Sequence, residues 1–208
     1  MELQHIEKYF PFLTSEQRSR FSILAETCKE WNEKINVISR KDIDNLEINH
    51  ILHSLAIGKY ISFQPGSTVI DLGSGGGFPG LPLAILFPEV HFHLVDRIGK
   101  KLKVAEEIAK ACGLKNVTFQ HGDFSECKVK ADFIVSRAVM PQKDLLKLAR
   151  KNIKKEQHNA IPNGLISLKG GDLGEELKGL ESRTETLDLA TMLDEDFFKT
   201  KKIVYTSI

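Results

Sequence analysis

The residues best suited to chemistry stand together in the run Val69-Ile70-Asp71-Leu72-Gly73-Ser74-Gly75-Gly76-Gly77-Phe78. An apolar stretch containing one acid passes directly into glycines, the pattern of a strand feeding a loop that must let a ligand approach its backbone. Gly75-x-Gly77-x-x-Gly80 also satisfies the dinucleotide pattern, so the glycines by themselves imply an adenosine-containing cofactor without choosing its class. Asp71 lies two residues before the first glycine, where its carboxylate could face an ammonium directly or through water and would repel a pyrophosphate. Asp96 ends the next apolar run, where an acid takes two ribose hydroxyls in either class. Asp123-Phe124-Ser125 follows the third run and is placed to contact the edge and face of an adenine. Taken together, these positions favour S-adenosylmethionine over a nicotinamide cofactor. The chain also lacks room for the second mononucleotide half and substrate domain of most dehydrogenases.

These residues need a scaffold, and the sequence supplies one from Thr68 onward. Short apolar runs alternate with helical patterns, as in the βα units of a parallel sheet. Strands are predicted at Thr68 to Leu72, His91 to Val95, Val117 to Gln120, Phe133 to Val135 and Leu165 to Leu168. Helices are predicted at Leu81 to Phe87, Lys100 to Cys112 and Asp144 to Ile153, with Gly113 as a left-handed C-terminal cap. Lys155 to Gly164 reads as a loop. Ile203-Val204-Tyr205 reads as a last strand, with Thr184 to Leu189 as its hairpin partner.

The first sixty-odd residues have a different texture. Thr14 and Gln17 have capping-box spacing, followed by a stripe of Phe21, Leu24, Cys28, Trp31 and Ile35 at steps of three and four. A second apolar pattern, Leu46, Ile51, Leu52, Leu55 and Ala56, runs up to Ile61 before Phe63-Gln64-Pro65-Gly66-Ser67 punctuates the chain. The expected architecture is α/β, a Rossmann-like sheet over residues 65–208 carrying a helical N-terminal cap over residues 1–64.

Bulk properties narrow the setting. In 208 residues, 29 lysines and arginines nearly balance 28 aspartates and glutamates, so any nucleic-acid affinity must come from local patches. Candidate patches are Arg97, Lys100, Lys101 and Lys103; Lys147, Arg150, Lys151, Lys154 and Lys155; and Lys199, Lys201 and Lys202. Cys28, Cys112 and Cys127 have no framework or CxxC spacing, which predicts reduced thiols and no zinc. His50 and His53 have helical spacing but no further ligand signal, so packing or capping is expected rather than a metal. Met1-Glu2-Leu3-Gln4-His5 has no leader character and no segment is apolar for a bilayer's width, so a cytoplasmic monomer is expected.

From Asp71-Leu72-Gly73-Ser74-Gly75-Gly76-Gly77-Phe78-Pro79-Gly80-Leu81-Pro82-Leu83-Ala84 the sequence resembles the RsmG (GidB) family, which methylates guanine N7 in the decoding-region loop of bacterial 16S ribosomal RNA. Gly-Phe-Pro-Gly-Leu-Pro is the more specific part. The resemblance continues through Leu94-Val95-Asp96-Arg97-Ile98-Gly99-Lys100-Lys101, Val135-Ser136-Arg137-Ala138-Val139 and Leu168-Lys169-Gly170. Upstream it includes Trp31-Asn32-Glu33-Lys34-Ile35-Asn36-Val37-Ile38 and His50-Ile51-Leu52-His53-Ser54-Leu55. It implies a class I methyltransferase fold, S-adenosylmethionine contacts at Gly73, Phe78, Phe124, Ser125 and Arg137, and a substrate in 16S rRNA or the small ribosomal subunit. Two positions depart from the family: His53 stands where an acid is usual, and Lys199, Lys201 and Lys202 stand where an arginine is usual.

The chemistry is consistent with that resemblance. Guanine N7 has a lone pair and no proton, so its methylation needs alignment rather than a general base. Exocyclic amine methylation usually goes with an Asn/Asp-Pro-Pro-aromatic turn, but this chain has Ser136-Arg137-Ala138-Val139-Met140-Pro141. Attack at pyrimidine C5 needs a cysteine, and that loop has none. Arg137, at the end of the fourth strand, could bind the methionine carboxylate or the guanine and phosphate of the target. The competing readings are a small-molecule methyltransferase, an NAD-binding oxidoreductase and a non-catalytic RNA-binding module.

Overall fold

The computed structural model describes residues 3–137 and 139–208; Met1 and Glu2 of the N-terminal reading, and Ala138 after the fourth strand, lie outside them. Five strands, β1 (Thr68–Leu72), β2 (His91–Asp96), β3 (Val117–His121), β4 (Phe133–Arg137) and β5 (Gly164–Gly170), pair in parallel. A hairpin of β6 (Thr184–Asp188) and β7 (Lys201–Ser207) adds to them, with β7 antiparallel to β5. The strand order is β3-β2-β1-β4-β5-β7-β6, so the winding reverses between β1 and β4. In such sheets the crevice beyond the strand ends at the reversal receives the ligand.

Period-two alternation sends neighbouring residues to opposite faces. Val69, Phe92, Leu94, Phe133, Val135 and Ile166 join the larger core, whereas Ile70, Val95, Ile134 and Leu165 join the smaller one. The larger core continues into the N-terminal helices α1 (Gln4–Tyr9), α2 (Ser15–Lys34) and α3 (His53–Tyr60), taking in Ile6, Phe21, Leu24 and Leu55. It also includes residues of α4 (Gly80–Leu86) and α5 (Gly99–Ala111). On the other face α6 (Gln142–Ala149) contributes Leu145, Leu146 and Ala149. A short α7 (Gly174–Leu177) follows β5. Among the described residues no helix is long and apolar enough to cross a membrane.

Local signals explain most boundaries. Thr14 accepts the Gln17 N–H at 3.1 Å and the Gln17 side chain accepts the Thr14 N–H at 2.9 Å, completing the capping box of α2. The Gln17 amide also donates to the carbonyls of Ile85 and Leu86, tying that helix start to the end of α4. Of the predicted stripe, Phe21, Leu24 and Cys28 are buried, while Trp31 and Ile35 remain partly exposed where α2 ends. Gly113 takes φ +63° after α5, as its capping role requires.

Two elements differ from expectation. The helix predicted to run to Ile153 stops as an α-helix at Ala149 and closes with a 3-10 turn at Arg150–Asn152. The second apolar pattern of the cap begins as a π-helical stretch, Glu47–Leu52, before α3. The five-residue step from Leu46 to Ile51, both fully buried, matches that wider turn.

Candidate cofactor site and its relatives

A cavity of about 820 Å³ opens beyond the carboxyl ends of the parallel strands. Gly73, Gly75, Phe78, Asp96, Asp123, Phe124 and Arg137 line it from the sheet side. The cap closes the opposite side with Val37, Asp42, Asn49, His50 and His53, and the C-terminal hairpin region adds Phe197 and Lys201.

The glycine loop is held largely by its own amides. Gly73 and Ser74 donate to the Val95 carbonyl at 2.9 and 3.2 Å, while Gly77 and Phe78 donate to that of Ser74 at 2.8 and 3.0 Å. Gly75 N–H donates to Asp96 Oδ2 and Gly80 N–H to Asp71 Oδ2, each at 2.7 Å. A pyrophosphate would therefore find these donors already spent, whereas a dinucleotide loop must offer its amides to that anion. At Gly75, φ is +53° and a Cβ would meet nothing within 4 Å, which leaves the backbone open to a close-packed ligand. Gly76 serves packing instead: a Cβ there would lie 2.9 Å from Val37 of the cap.

The acids divide into two kinds. Asp96 Oδ1 also accepts the Ile98 N–H at 2.7 Å, and the half-buried carboxylate retains lone pairs toward the cavity for hydroxyl donors. Asp123 accepts the Ser125 N–H at 2.8 Å, the bond that chiefly holds its carboxyl below the usual range. Phe124 is buried beside it. Asp71 corrects the expectation of a direct cofactor contact: it is fully buried, does not line the cavity, and braces Gly80 from beneath. Its Oδ1 has no hydrogen-bond partner, and burial raises its pKa to about 7. Ser125 likewise falls outside the cavity lining; it is exposed, and its N–H secures Asp123.

The cap contributes contacts that spacing did not reveal. Asn32 accepts the N–H groups of Val37 and Ile38, each at 2.9 Å, and so turns the chain after α2 onto the glycine loop. His50 meets the Arg137 guanidinium at 3.0 Å and makes a short hydrogen bond to Asp42. Burial, reinforced by Arg137, pushes the His50 pKa down to about 4 despite Asp42. The Arg137 guanidinium lies 5.4 Å from the Phe78 ring centre, and the His50 ring meets Phe78 edge-on at 5.7 Å. His53 packs edge-on against Phe197 and Phe198, with burial holding it neutral and its Nε2 without a hydrogen bond. Among the described residues neither histidine belongs to a group of three or more side chains that could hold a metal ion. The link from Asp42 to His50 spans eight residues around a π-helical turn, so no helical spacing announces it.

The basic clusters are unequal. Arg97 and Lys101 line the cavity, as does Lys201, whose ammonium lies 4.7 Å from the Phe197 ring centre. Lys103, Lys147, Lys154 and Lys199 form ion pairs with Glu107, Asp144, Asp132 and Asp196, and Arg97 itself lies 3.8 Å from Asp123. Lys202 pairs with Asp188.

These residues fit S-adenosylmethionine. Gly75 offers open backbone, Asp96 free lone pairs for a ribose diol, Phe124 an apolar wall, and Arg137 a guanidinium without a carboxylate partner among the described residues.

Comparison with known proteins agrees with this geometry. The family described as "rRNA small subunit methyltransferase G" matches residues 17–199. The ribosomal RNA small subunit methyltransferase G of Phocaeicola vulgatus is 61% identical, covering 100% of this chain and 99% of that protein. Its namesake from Bacteroides thetaiotaomicron is 58% identical, over 99% and 100%. Among solved structures, an S-adenosylmethionine-dependent O-methyltransferase from Thermotoga maritima has TM-score 0.59 and 18% identity over 80% of this chain and 70% of its own. The precorrin-6y C5,15-methyltransferase of Geobacter metallireducens has TM-score 0.57 and 12% identity over 84% and 93%. Those two likenesses establish the fold, a class I methyltransferase sheet. The near full-length identities establish the kinship: the chain belongs to the rRNA small subunit methyltransferase G family.

Proposed function

We propose that the protein transfers a methyl group from S-adenosylmethionine to N7 of a guanine in the decoding-region loop of 16S rRNA, acting on the small ribosomal subunit or its RNA. The observation that carries this reading is the division of one cavity, with Asp96, Asp123 and Phe124 at one end and Lys169, Phe197 and Lys201 at the other. The end with Asp96, Asp123 and Phe124, where Arg97 pairs with Asp123 at 3.8 Å, suits an adenosyl group, and the end with Phe197 and Lys201 suits an unstacked nucleotide. Relatives named as acting on small-subunit rRNA support the substrate class.

When bound, S-adenosylmethionine supplies an electrophilic methyl and a neutral thioether leaving group. The residues have to align the acceptor with it. Each acid lining the cavity is committed elsewhere: Asp42 to His50, Asp96 to Gly75 and Ile98, and Asp123 to Ser125. His50 is bonded through both ring nitrogens. With the lone pairs that Asp96 retains assigned to the ribose diol, no described lining carboxylate is left to deprotonate an acceptor, so the site favours one that already has a lone pair, and guanine N7 is one. Asp71, beneath the loop, braces Gly80 without touching the cavity. Arg97, Lys101 and Lys201 supply cationic groups at the cavity for the phosphates of a folded RNA.

Deleting the gene tests the reading: small-subunit rRNA should lose an N7-methylguanine, seen as loss of borohydride and aniline cleavage at one site. An unchanged cleavage pattern would refute it. Methylation of a small molecule in the absence of RNA would favour the second reading.

A further inference from the structure

We propose that Asp42 and His50 are positioning residues for cofactor binding, a hydrogen-bonded chain from the cap that holds Arg137 to clamp the carboxylate of the methionine moiety. This rests on the S-adenosylmethionine reading above.

The donors and acceptors determine the chain's direction. A guanidinium has N–H donors and no acceptor, so its contact with His50 Nδ1 at 3.0 Å requires a lone pair on that nitrogen. The ring proton must then sit on Nε2, which donates to Asp42 Oδ2. Asp42 Oδ1 accepts the Asn49 side-chain amide at 2.5 Å, and the Asn49 carbonyl accepts a second Arg137 N–H at 3.3 Å. The chain therefore returns to the guanidinium, and the proton position at each step is determined.

This arrangement leaves Arg137 ready for an anion. Two of its five N–H donors are engaged, both by neutral acceptors, and three remain. Among the described residues no carboxylate lies within 4.0 Å of the guanidinium, since the neutral imidazole stands between it and Asp42. A half-buried cation lacking a direct counter-ion lines the same cavity as Gly73 and lies over the Phe78 ring. A carboxylate is the bidentate partner that such a fork matches. Asp42, Asn49 and His50 all come from the cap, so the cap takes part in ligand recognition as well as covering the cavity.

The test uses the full chain and two ligands. S-adenosylhomocysteine carries the carboxylate, whereas methylthioadenosine keeps the adenosine and thioether but lacks it. By calorimetry, His50→Ala should weaken S-adenosylhomocysteine about tenfold, as expected for hydrogen bonding to a charged group, and leave methylthioadenosine unchanged. His50→Asn, whose amide oxygen can still accept from the guanidinium, should recover most of the loss. His50→Ala combined with Arg137→Ala should bind S-adenosylhomocysteine no more weakly than Arg137→Ala alone, because His50 acts through Arg137. Equal weakening of both ligands, or additive losses in the double variant, would overturn the proposal. So would an unchanged S-adenosylhomocysteine affinity with a raised KM for RNA, which would assign Arg137 to the substrate. If the unaltered protein bound neither ligand, the cofactor reading itself would fall, an outcome distinct from the others.

Discussion

At Asp71 a carboxyl oxygen buried without a partner determines how the end of β1 responds to pH. Its pKa is raised from 3.8 to about 7, chiefly by burial, so the folded state holds a proton that the unfolded state releases. The stabilising contribution is fully present below about pH 4 and is lost as the pH rises through 7. Asp71→Asn, which can still accept the Gly80 N–H, should therefore be more stable than the parent ligand-free protein at pH 8, by roughly 4 kcal/mol at most, and match it near pH 4. Thermal melts across that range check this, and a difference independent of pH would contradict it. Gly75→Ala separates binding from folding: its Cβ meets nothing in the protein, so stability should fall by only about 1 kcal/mol for the left-handed φ. S-adenosylhomocysteine affinity should drop at least tenfold, read by calorimetry. The residues that line the cavity from strand ends, Asp96, Asp123 and Arg137, were legible in the sequence because apolar runs have visible ends. Asp42 and His50 were not, since Asp42 acts only through His50, whose bond to Arg137 is made by tertiary packing across 87 residues.

Among the elements, period and punctuation made the strands legible, including the pairing of β6 with β7. The short N-terminal helix was not, because what holds it lies elsewhere in the chain: Glu47 Oε1 accepts the N–H groups of His5 and Ile6 at 2.9 and 3.1 Å, and Glu195 binds it from the far end. Glu195 Oε1 accepts from Tyr9 Oη at 3.0 Å and meets His5 at 3.3 Å and Lys8 at 3.4 Å. Glu195→Ala should release α1: hydrogen exchange at Gln4–Tyr9 should accelerate while the amides of β1 and β4 keep their protection. The capping box of α2 is a more local case. Thr14→Ala should cost about 1 kcal/mol in denaturant unfolding, because it leaves the Gln17 N–H without its acceptor.

Over the whole molecule, the cap and the sheet share one apolar core, in which Phe21, Leu55, Phe92 and Phe198 are all fully buried. A sequence boundary near residue 64 marks a change of texture without a break in that core. Cap and sheet should therefore unfold in one transition, and Phe21→Ala, although in the cap, should lower the stability of the whole by roughly 3–5 kcal/mol. Two separate transitions by calorimetry would contradict this. The same continuity fixes the cavity walls relative to one another, so that residues from β1, β4, the cap and β7 meet around one cavity. The most direct test of the methyltransferase account is transfer of labelled methyl from S-adenosylmethionine to small subunits, or their protein-free rRNA, from cells lacking the gene. The account predicts label at N7 of one guanine in the decoding-region loop of 16S rRNA; label at another atom or in another RNA, or none in either substrate, would contradict it.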